Sequence, residues 1–244
     1  MGISVRWYGI LLTSGIIAGV LYAYFEAKRI GENPEDILDI AMICVPAAII
    51  GARLYYVLFN LDYYQGDFLK MINFREGGMA IHGSLIAAFI SGYFVLKYKK
   101  KSFLLYADFI APAIILGQAI GRWGNYLNGE AHGGPTNLPW GILVDGVKVH
   151  PTFLYESLWN IIVFAFLVVL NRKKKFDGQI VLLYGILYSV GRFFIEGMRT
   201  DSLMFMGLRV AQLVSILVII VFGVIYAYLN NKDTKKKTEE LSSK

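Results

Sequence analysis

Charge is scarce in this chain. Asp, Glu, Lys and Arg make up 17% of its 244 residues, against about a quarter in an ordinary soluble domain. Hydrophobic residues make up 56%, more apolar surface than so few polar groups could cover in water. Cysteine is nearly missing. The one residue, Cys44, excludes an intramolecular disulfide and a thiolate metal cluster; within its apolar stretch it reads as a small buried hydrophobe. The three histidines, His82, His132 and His150, are scattered, with no His-Glu-x-x-His helix and no Asp cluster to hold magnesium against a pyrophosphate, so no metal site is expected. Ser84 in "HGS" lacks the strand-turn-helix Gly-x-Ser-x-Gly surroundings of a nucleophile elbow. No small-residue cleavage site follows the first apolar stretch, so that stretch is expected to be retained. Soluble domains, internal repeats and low-complexity segments are also missing, apart from a basic tail.

What is there is hydrocarbon. Seven stretches approach the length needed to cross a bilayer: Tyr8–Phe25, Ile37–Phe59, Met79–Leu96, Phe103–Ile120, Phe153–Leu170, Gln179–Ile195 and Val210–Leu229. In lipid the backbone must satisfy its own hydrogen bonds, and unbroken apolar runs fit helices better than the alternation of a membrane barrel. The expectation is an all-α polytopic membrane protein of about seven transmembrane helices. It would form one helical domain over residues 1–231, with a basic tail at 232–244. Only "KYKKKS" separates the third and fourth spans, which predicts an antiparallel helical hairpin. Gly15 with Gly19 and Gly117 with Gly121 are small-xxx-small pairs that let helices approach closely.

The connections alternate in charge. "AKRIGENPED", "KYKKKS", "NRKKKFD" and the tail hold fifteen of the 24 Lys and Arg residues, at every second connection. The positive-inside rule places these segments in the cytoplasm, with the N-terminus outside, the C-terminus cytoplasmic and a loop at 121–151 on the outer face. Such anchors touching anionic lipid heads explain the net charge of +6 without any nucleic-acid partner.

Polar groups inside spans are costly and mark a path or a site. "GRWGNYLNGEAHGG" gathers Arg122, Asn125, Asn128, Glu130 and His132 where the fourth span meets the outer interface. The fork of Arg122 suits a phosphate diester or a carboxylate. Alone it would read as a snorkelling interfacial arginine, but Asn125, Asn128 and Glu130 beside it tip the balance, and Gly121, Gly124 and Gly129 keep side chains clear. In "GGMAIHGSL", His82 lies about one turn inside its apolar run, with glycines leaving room for an approaching group. It is either a proton carrier near neutral pH or a histidine bonded to a neighbouring helix. In "LLYGILYSVGRFFIEGMRTD", Tyr188, Arg192, Glu196 and Arg199 share one helix face, and Arg192 can pair with Glu196, as a locking bridge or as part of a functional stripe. "HPTFLYES" brings His150, Tyr155 and Glu156, although its proline can be no more than a helix start. Arg53 is expected to pair with a carboxylate or lipid, and Asp108 and Pro112 to be structural. These residues alone indicate a membrane enzyme or transporter handling a phosphate-bearing substrate at the outer interface. A seven-helix anion transporter and an intramembrane peptidase using Ser84 are the competing readings.

Five motifs in order, "RWYG", "GGMAIHGSL", "GRWGNYLNGEAHG", "HPTFLYES" and "GRFFIEGMRTD", resemble those of the bacterial prolipoprotein diacylglyceryl transferases over nearly the whole chain. Two departures are small: Ser84 stands where many members have glycine, and Tyr126 replaces a frequent phenylalanine. The resemblance implies a multi-pass enzyme of the bacterial cytoplasmic membrane, without cofactor, that carries out the first step of lipoprotein maturation. It would move the diacylglyceryl group of phosphatidylglycerol onto the lipobox cysteine of a prolipoprotein signal peptide, at a site opening to the extracytoplasmic side. The products are a thioether and glycerol 1-phosphate. By motif, His82, Tyr188 and Arg192 match catalytic positions, and Arg122, Asn125, Glu130, Glu196 and Tyr8 match substrate-binding ones. On this reading Arg122 grips the phosphate with support from Asn125 and Glu130. Arg192, its fork held by Glu196, stabilises the leaving oxygen. His82 takes the thiol proton, with Tyr188 as the alternative.

Overall fold

A computed structural model describes residues 7–64, 66–73 and 77–242. Arg6 of the first motif and the last two residues of the tail lie outside the described residues. In chain order the elements are α1 (Trp7–Ile30), α2 (Glu35–Leu58), the short α3 (Leu61–Tyr64) and α4 (Phe68–Ile72), α5 (Ile81–Tyr98), α6 (Phe103–Leu127), a hairpin of β1 (Ile142–Val144) and β2 (Val147–Val149), α7 (Thr152–Asn171), α8 (Gln179–Glu196), a second hairpin of β3 (Met204–Phe205) and β4 (Leu208–Arg209), and α9 (Val210–Ser242). Among the described residues, seven helices are long and apolar enough to cross a membrane, so the chain is a helical, multi-pass membrane protein.

Several helix ends differ from the expected spans, and three of them matter for the site or the tail. α6 runs past Ile120 to Leu127, which puts Arg122 and Asn125 on its last turns rather than in a loop. It stops at a Schellman motif, in which Gly129 takes φ +68°, Glu130 N donates to Asn125 O at 3.0 Å and Gly129 N to Tyr126 O at 3.1 Å. α5 begins only at Ile81, because Gly77 and Gly78 sit in the left-handed region (φ +80° and +71°). His82 therefore stands in its first turn. α9 continues through the basic tail as one helix.

The helices cluster into two compact units, one of them Tyr24–Phe103. Within it α2 packs on α5, and Gly51 faces Gly83 so closely that a Cβ at Gly51 would stand 2.6 Å from Gly83 O. Gly83 thus serves helix contact rather than room beside His82. Ser84 Oγ donates to Ala48 O at 3.1 Å across the same contact. Arg53, buried in α2, has no carboxylate partner among the described residues. It donates to the main-chain carbonyls of Lys70 (2.7 Å), Met71 (2.8 Å), Gly77 (2.5 Å) and Gly78 (3.0 Å), tying down the connection that leads to α5. After α5, Lys99 Nζ meets Asp36 at 2.7 Å and Asp39 at 2.6 Å, and Lys101 Nζ meets Glu32 at 2.7 Å. The hydrogen bonds to Asp36 and Asp39 hold the Lys99 ammonium above its ordinary range.

The other unit holds the described residues up to Ala23 and those from Leu104 onward. A Cβ at Gly15 would lie 3.1 Å from Gly117 O, and one at Gly19 2.9 Å from Ala113 O, so these glycines let α1 meet α6 backbone to backbone. Among the described residues nothing stands within 4 Å of a Cβ at Gly121. Ile115, Val163, Leu167 and Ile180 form the core between α6, α7 and α8, and α8 also packs on α9. Asp108, fully buried, caps the start of α8: its Oδ2 accepts Gly178 N at 2.9 Å and its Oδ1 accepts Ile180 N at 2.9 Å. Lys174 Nζ, 3.0 Å from Asp108 Oδ2, neutralises the carboxylate. This anchor lies at the opposite end of α6 from Arg122, about 21 Å away along the helix at 1.5 Å per residue.

Candidate active site

The end of α6, the start of α7 and the end of α8 converge on one carboxylate. Glu156, one turn into α7 and 4% exposed, forms an ion pair with Arg122 Nε through Oε2. Its Oε1 accepts Arg192 Nη1 at 2.7 Å, with Arg199 Nη1 at 3.8 Å. Arg192 Nη2 reaches Glu196 Oε2 at 2.7 Å, the i,i+4 pair anticipated on this face. Arg199, just past the end of α8, also stands 3.9 Å from Glu196 Oε2 and grips Asp201 with two bonds of 2.9 and 2.7 Å. Three guanidinium groups thus share two buried carboxylates, with Asp201 outside them. Burial alone would lower the Arg199 pKa, but its carboxylate partners hold it above the ordinary value; the same pairing holds Asp201 below its own.

Charges taken out of water are tolerable only when paired and hydrogen-bonded, and removing one partner is costly. Here both buried carboxylates are ion-paired, although Oε2 of Glu156 and Oε2 of Glu196 accept no hydrogen bond, and the cluster keeps capacity for an anion. Arg122 Nη2 lies 3.5 Å from Tyr188 OH, and its Nη1 edge has no protein acceptor among the described residues. The Arg122 and Arg192 side chains remain 18% and 21% exposed, against 5% for Glu156. The cluster is therefore rigid on its carboxylate side and accessible on its cationic side.

The loop after α6 builds the rim. Gly134 N donates to Met198 O at 3.0 Å, Gly133 N to His150 O at 2.9 Å, and Thr152 Oγ1 to Ala131 O. A Cβ at Gly133 would stand 2.7 Å from His150 Cβ and 2.9 Å from Met198 O, which accounts for the glycine after His132. Trp123 Nε1 donates to Ser157 Oγ at 3.2 Å, and Ser157 Oγ to Ala119 O at 2.9 Å, fixing α6 against α7.

Of the residues singled out from sequence, Arg122, Tyr188, Arg192 and Glu196 are brought together. Tyr8 lies over Gly124, where a Cβ would come 2.5 Å from its ring, so this glycine makes room for the tyrosine. Glu130 takes Asn128 Nδ2 at 2.5 Å and Asn125 lies one turn before it; the support of Arg122 is Glu156, not this pair. His82 belongs to the unit Tyr24–Phe103, exposed, with its ring 6.0 Å from that of Tyr55. Pro151 does sit at the start of α7, and His150 Nδ1 lies 3.3 Å from Tyr155 OH. Sequence reasoning named Glu156 within "HPTFLYES" but gave it no role at the site. Its signal was an ionisable group one turn inside an apolar span.

A family model described as prolipoprotein diacylglyceryl transferase matches residues 1–228. Proteins named phosphatidylglycerol–prolipoprotein diacylglyceryl transferase from Clostridioides difficile strain 630 and from Finegoldia magna are each 52% identical over 98% of this chain and 96% of their own. One of the same name from Clostridium novyi is 47% identical over 97% of this chain and 96% of its own. With its arginine cluster built from the three most polar motifs and the match running through nearly every described helix, the chain belongs to the prolipoprotein diacylglyceryl transferase family.

Proposed function

We propose that this chain transfers the diacylglyceryl group of phosphatidylglycerol to the lipobox cysteine of prolipoprotein signal peptides, at the extracytoplasmic face of the bacterial cytoplasmic membrane. The observation that carries this reading is the anchoring of Arg122 and Arg192 on one buried carboxylate, Glu156, which leaves guanidinium edges for a phosphodiester. Orientation is supported by charge: Lys174 and the basic segment around it lie at the end of the helices remote from the arginines.

The cysteine sulfur attacks the glycerol carbon that bears the phosphate. The S–C bond forms, the C–O bond breaks, and its electron pair leaves on glycerol 1-phosphate. A thiol titrates near about 8.5, so its proton must be removed for the thiolate to attack. His82 is assigned that role on its chemistry and family position, a contribution of roughly 10²–10⁴-fold. Arg122 holds the phosphate, and Arg192 meets the charge growing on the leaving oxygen, its fork fixed by Glu156 and Glu196. Fixed charges aimed at developing charge, in a site poor in water, are commonly the largest catalytic term.

The test is mass spectrometry of a lipobox peptide incubated with the purified chain and phosphatidylglycerol. A diacylglyceryl mass gain on the cysteine is expected; peptide cleavage or no product would overturn the assignment. In the same assay Arg122→Lys keeps the charge and loses the fork, so unchanged transfer would dispose of bidentate phosphate binding.

A further inference from the structure

One polar side chain at this site has no work among the interactions described so far. Asn160 lies one turn beyond Glu156 on α7 and is 2% exposed, yet its Nδ2 has no hydrogen-bond partner among the described residues. Buried amides are almost always paired, and whereas the Oε2 atoms of Glu156 and Glu196, which also accept no hydrogen bond, are ion-paired, the Asn160 amide has no such partner and needs an explanation. Asn160 lines a narrow crevice, closed to a water-sized group as it stands, together with Glu156, Tyr188, Gly191 and Arg192. The other polar groups there are committed: the carboxylate to two arginines, and the Trp159 indole to Leu187 O at 2.9 Å. Gly191 gives the Trp159 ring its place, since a Cβ there would strike it. The crevice therefore offers a cation at Arg192, a hydroxyl at Tyr188 and one amide donor without an acceptor.

We infer that Asn160 determines headgroup specificity, donating from Nδ2 to a hydroxyl of the phospholipid's glycerol headgroup while Arg192 faces the adjoining phosphate. This rests on the phosphatidylglycerol assignment above. A phosphate anchored on the arginines would bring its alcohol substituent to the mouth of this crevice, which must widen to admit a hydroxyl, since it is closed as it stands. A hydroxyl can accept from the amide and donate to a neighbouring oxygen. A headgroup without a hydroxyl would leave the amide buried and unpaired, and sites built to bond a substrate hydroxyl reject analogues that lack it far more strongly than apolar pockets reject a missing methylene.

The experiment compares kcat/KM for phosphatidylglycerol and phosphatidylethanol of identical acyl chains, using the purified full chain and a lipobox peptide. The wild type should prefer phosphatidylglycerol by roughly 10²-fold or more. Asn160→Leu, which conserves volume, should bring the two lipids within about threefold, mainly by losing activity on phosphatidylglycerol. A ratio unchanged in the variant overturns the inference, whatever the overall rate, because a structural role or a contact with an acyl ester would depress both lipids alike. Equal use of the two lipids by the wild type also overturns it. Should the leucine variant not fold, Asn160→Ala removes the amide without demanding space, and the same ratio decides. A wild type inert on both lipids would overturn the functional reading itself, and this inference with it.

Discussion

Glu156 holds two guanidinium groups at once, so its loss should cost more than the loss of either arginine contact. Glu156→Gln keeps the shape but leaves Arg122 and Arg192 short of an anion in a site largely out of water. Breaking a buried pair in this way destabilises by roughly 3–5 kcal/mol, and the displaced forks should lower transfer about 10²-fold. Thermal midpoints in detergent and the peptide assay check both; a variant that matches wild type in each would show that Glu156 is not the hub. The Arg199–Asp201 pair sits at the rim and behaves differently. Its guanidinium holds the Asp201 carboxyl below the ordinary range, so ionised Asp201 contributes stability above the unfolded-state value, lost as pH falls through the lower folded-state value. Asp201→Asn should therefore lower the midpoint near neutral pH, and the gap to wild type should close on acidification below about pH 4. A gap independent of pH would mean that the pair contributes nothing through charge.

Helix contacts in this protein rest on particular glycines, and the structure separates those in tight contact from those in open space. Gly83→Ala would drive a Cβ into Gly51 O and Tyr55 Cβ beside His82, an overpacking cost of about 1–3 kcal/mol. Gly121→Ala meets nothing within 4 Å among the described residues, and in a helix interior it should be neutral or slightly stabilising. Equal effects of the two changes, read as thermal midpoints, would contradict the α2–α5 packing. The same elements show how far reading from sequence reaches. All seven spans are visible because lipid leaves an apolar chain few alternatives to helix. Their ends depend on single residues: the glycine and arginine after Ile120 look like a stop, while the real stop is the left-handed Gly129 eight residues later. The Arg192–Glu196 pair is legible because one helix face dictates it. Glu156 is not, since nothing in a single sequence says which face of α7 meets the ends of α6 and α8. Arg53 makes the same point: its acceptors are main-chain carbonyls, which leave no trace in side-chain pattern.

At the scale of the whole molecule, the reaction constrains orientation as strongly as charge does. On the proposed reaction the lipobox cysteine is met at the outer side of the membrane, and the arginine cluster then acts only if the ends of α6 and α8 face that side. The basic segment after α7 belongs to the opposite end, where Lys174 neutralises the Asp108 cap. Holding those lysines in the cytoplasm and the arginines outside satisfies both the positive-inside rule and the chemistry with one arrangement. Single cysteines in a Cys44→Ser background can test it, because Asn137 and Lys173 are both exposed. In intact cells a membrane-impermeant maleimide should label Asn137→Cys, whereas Lys173→Cys should react only after permeabilisation. The reverse pattern would put Arg122 and Arg192 where no secreted cysteine can reach them. The guanidinium cluster would then have to serve a cytoplasmic anion, and transfer to a prolipoprotein would be excluded.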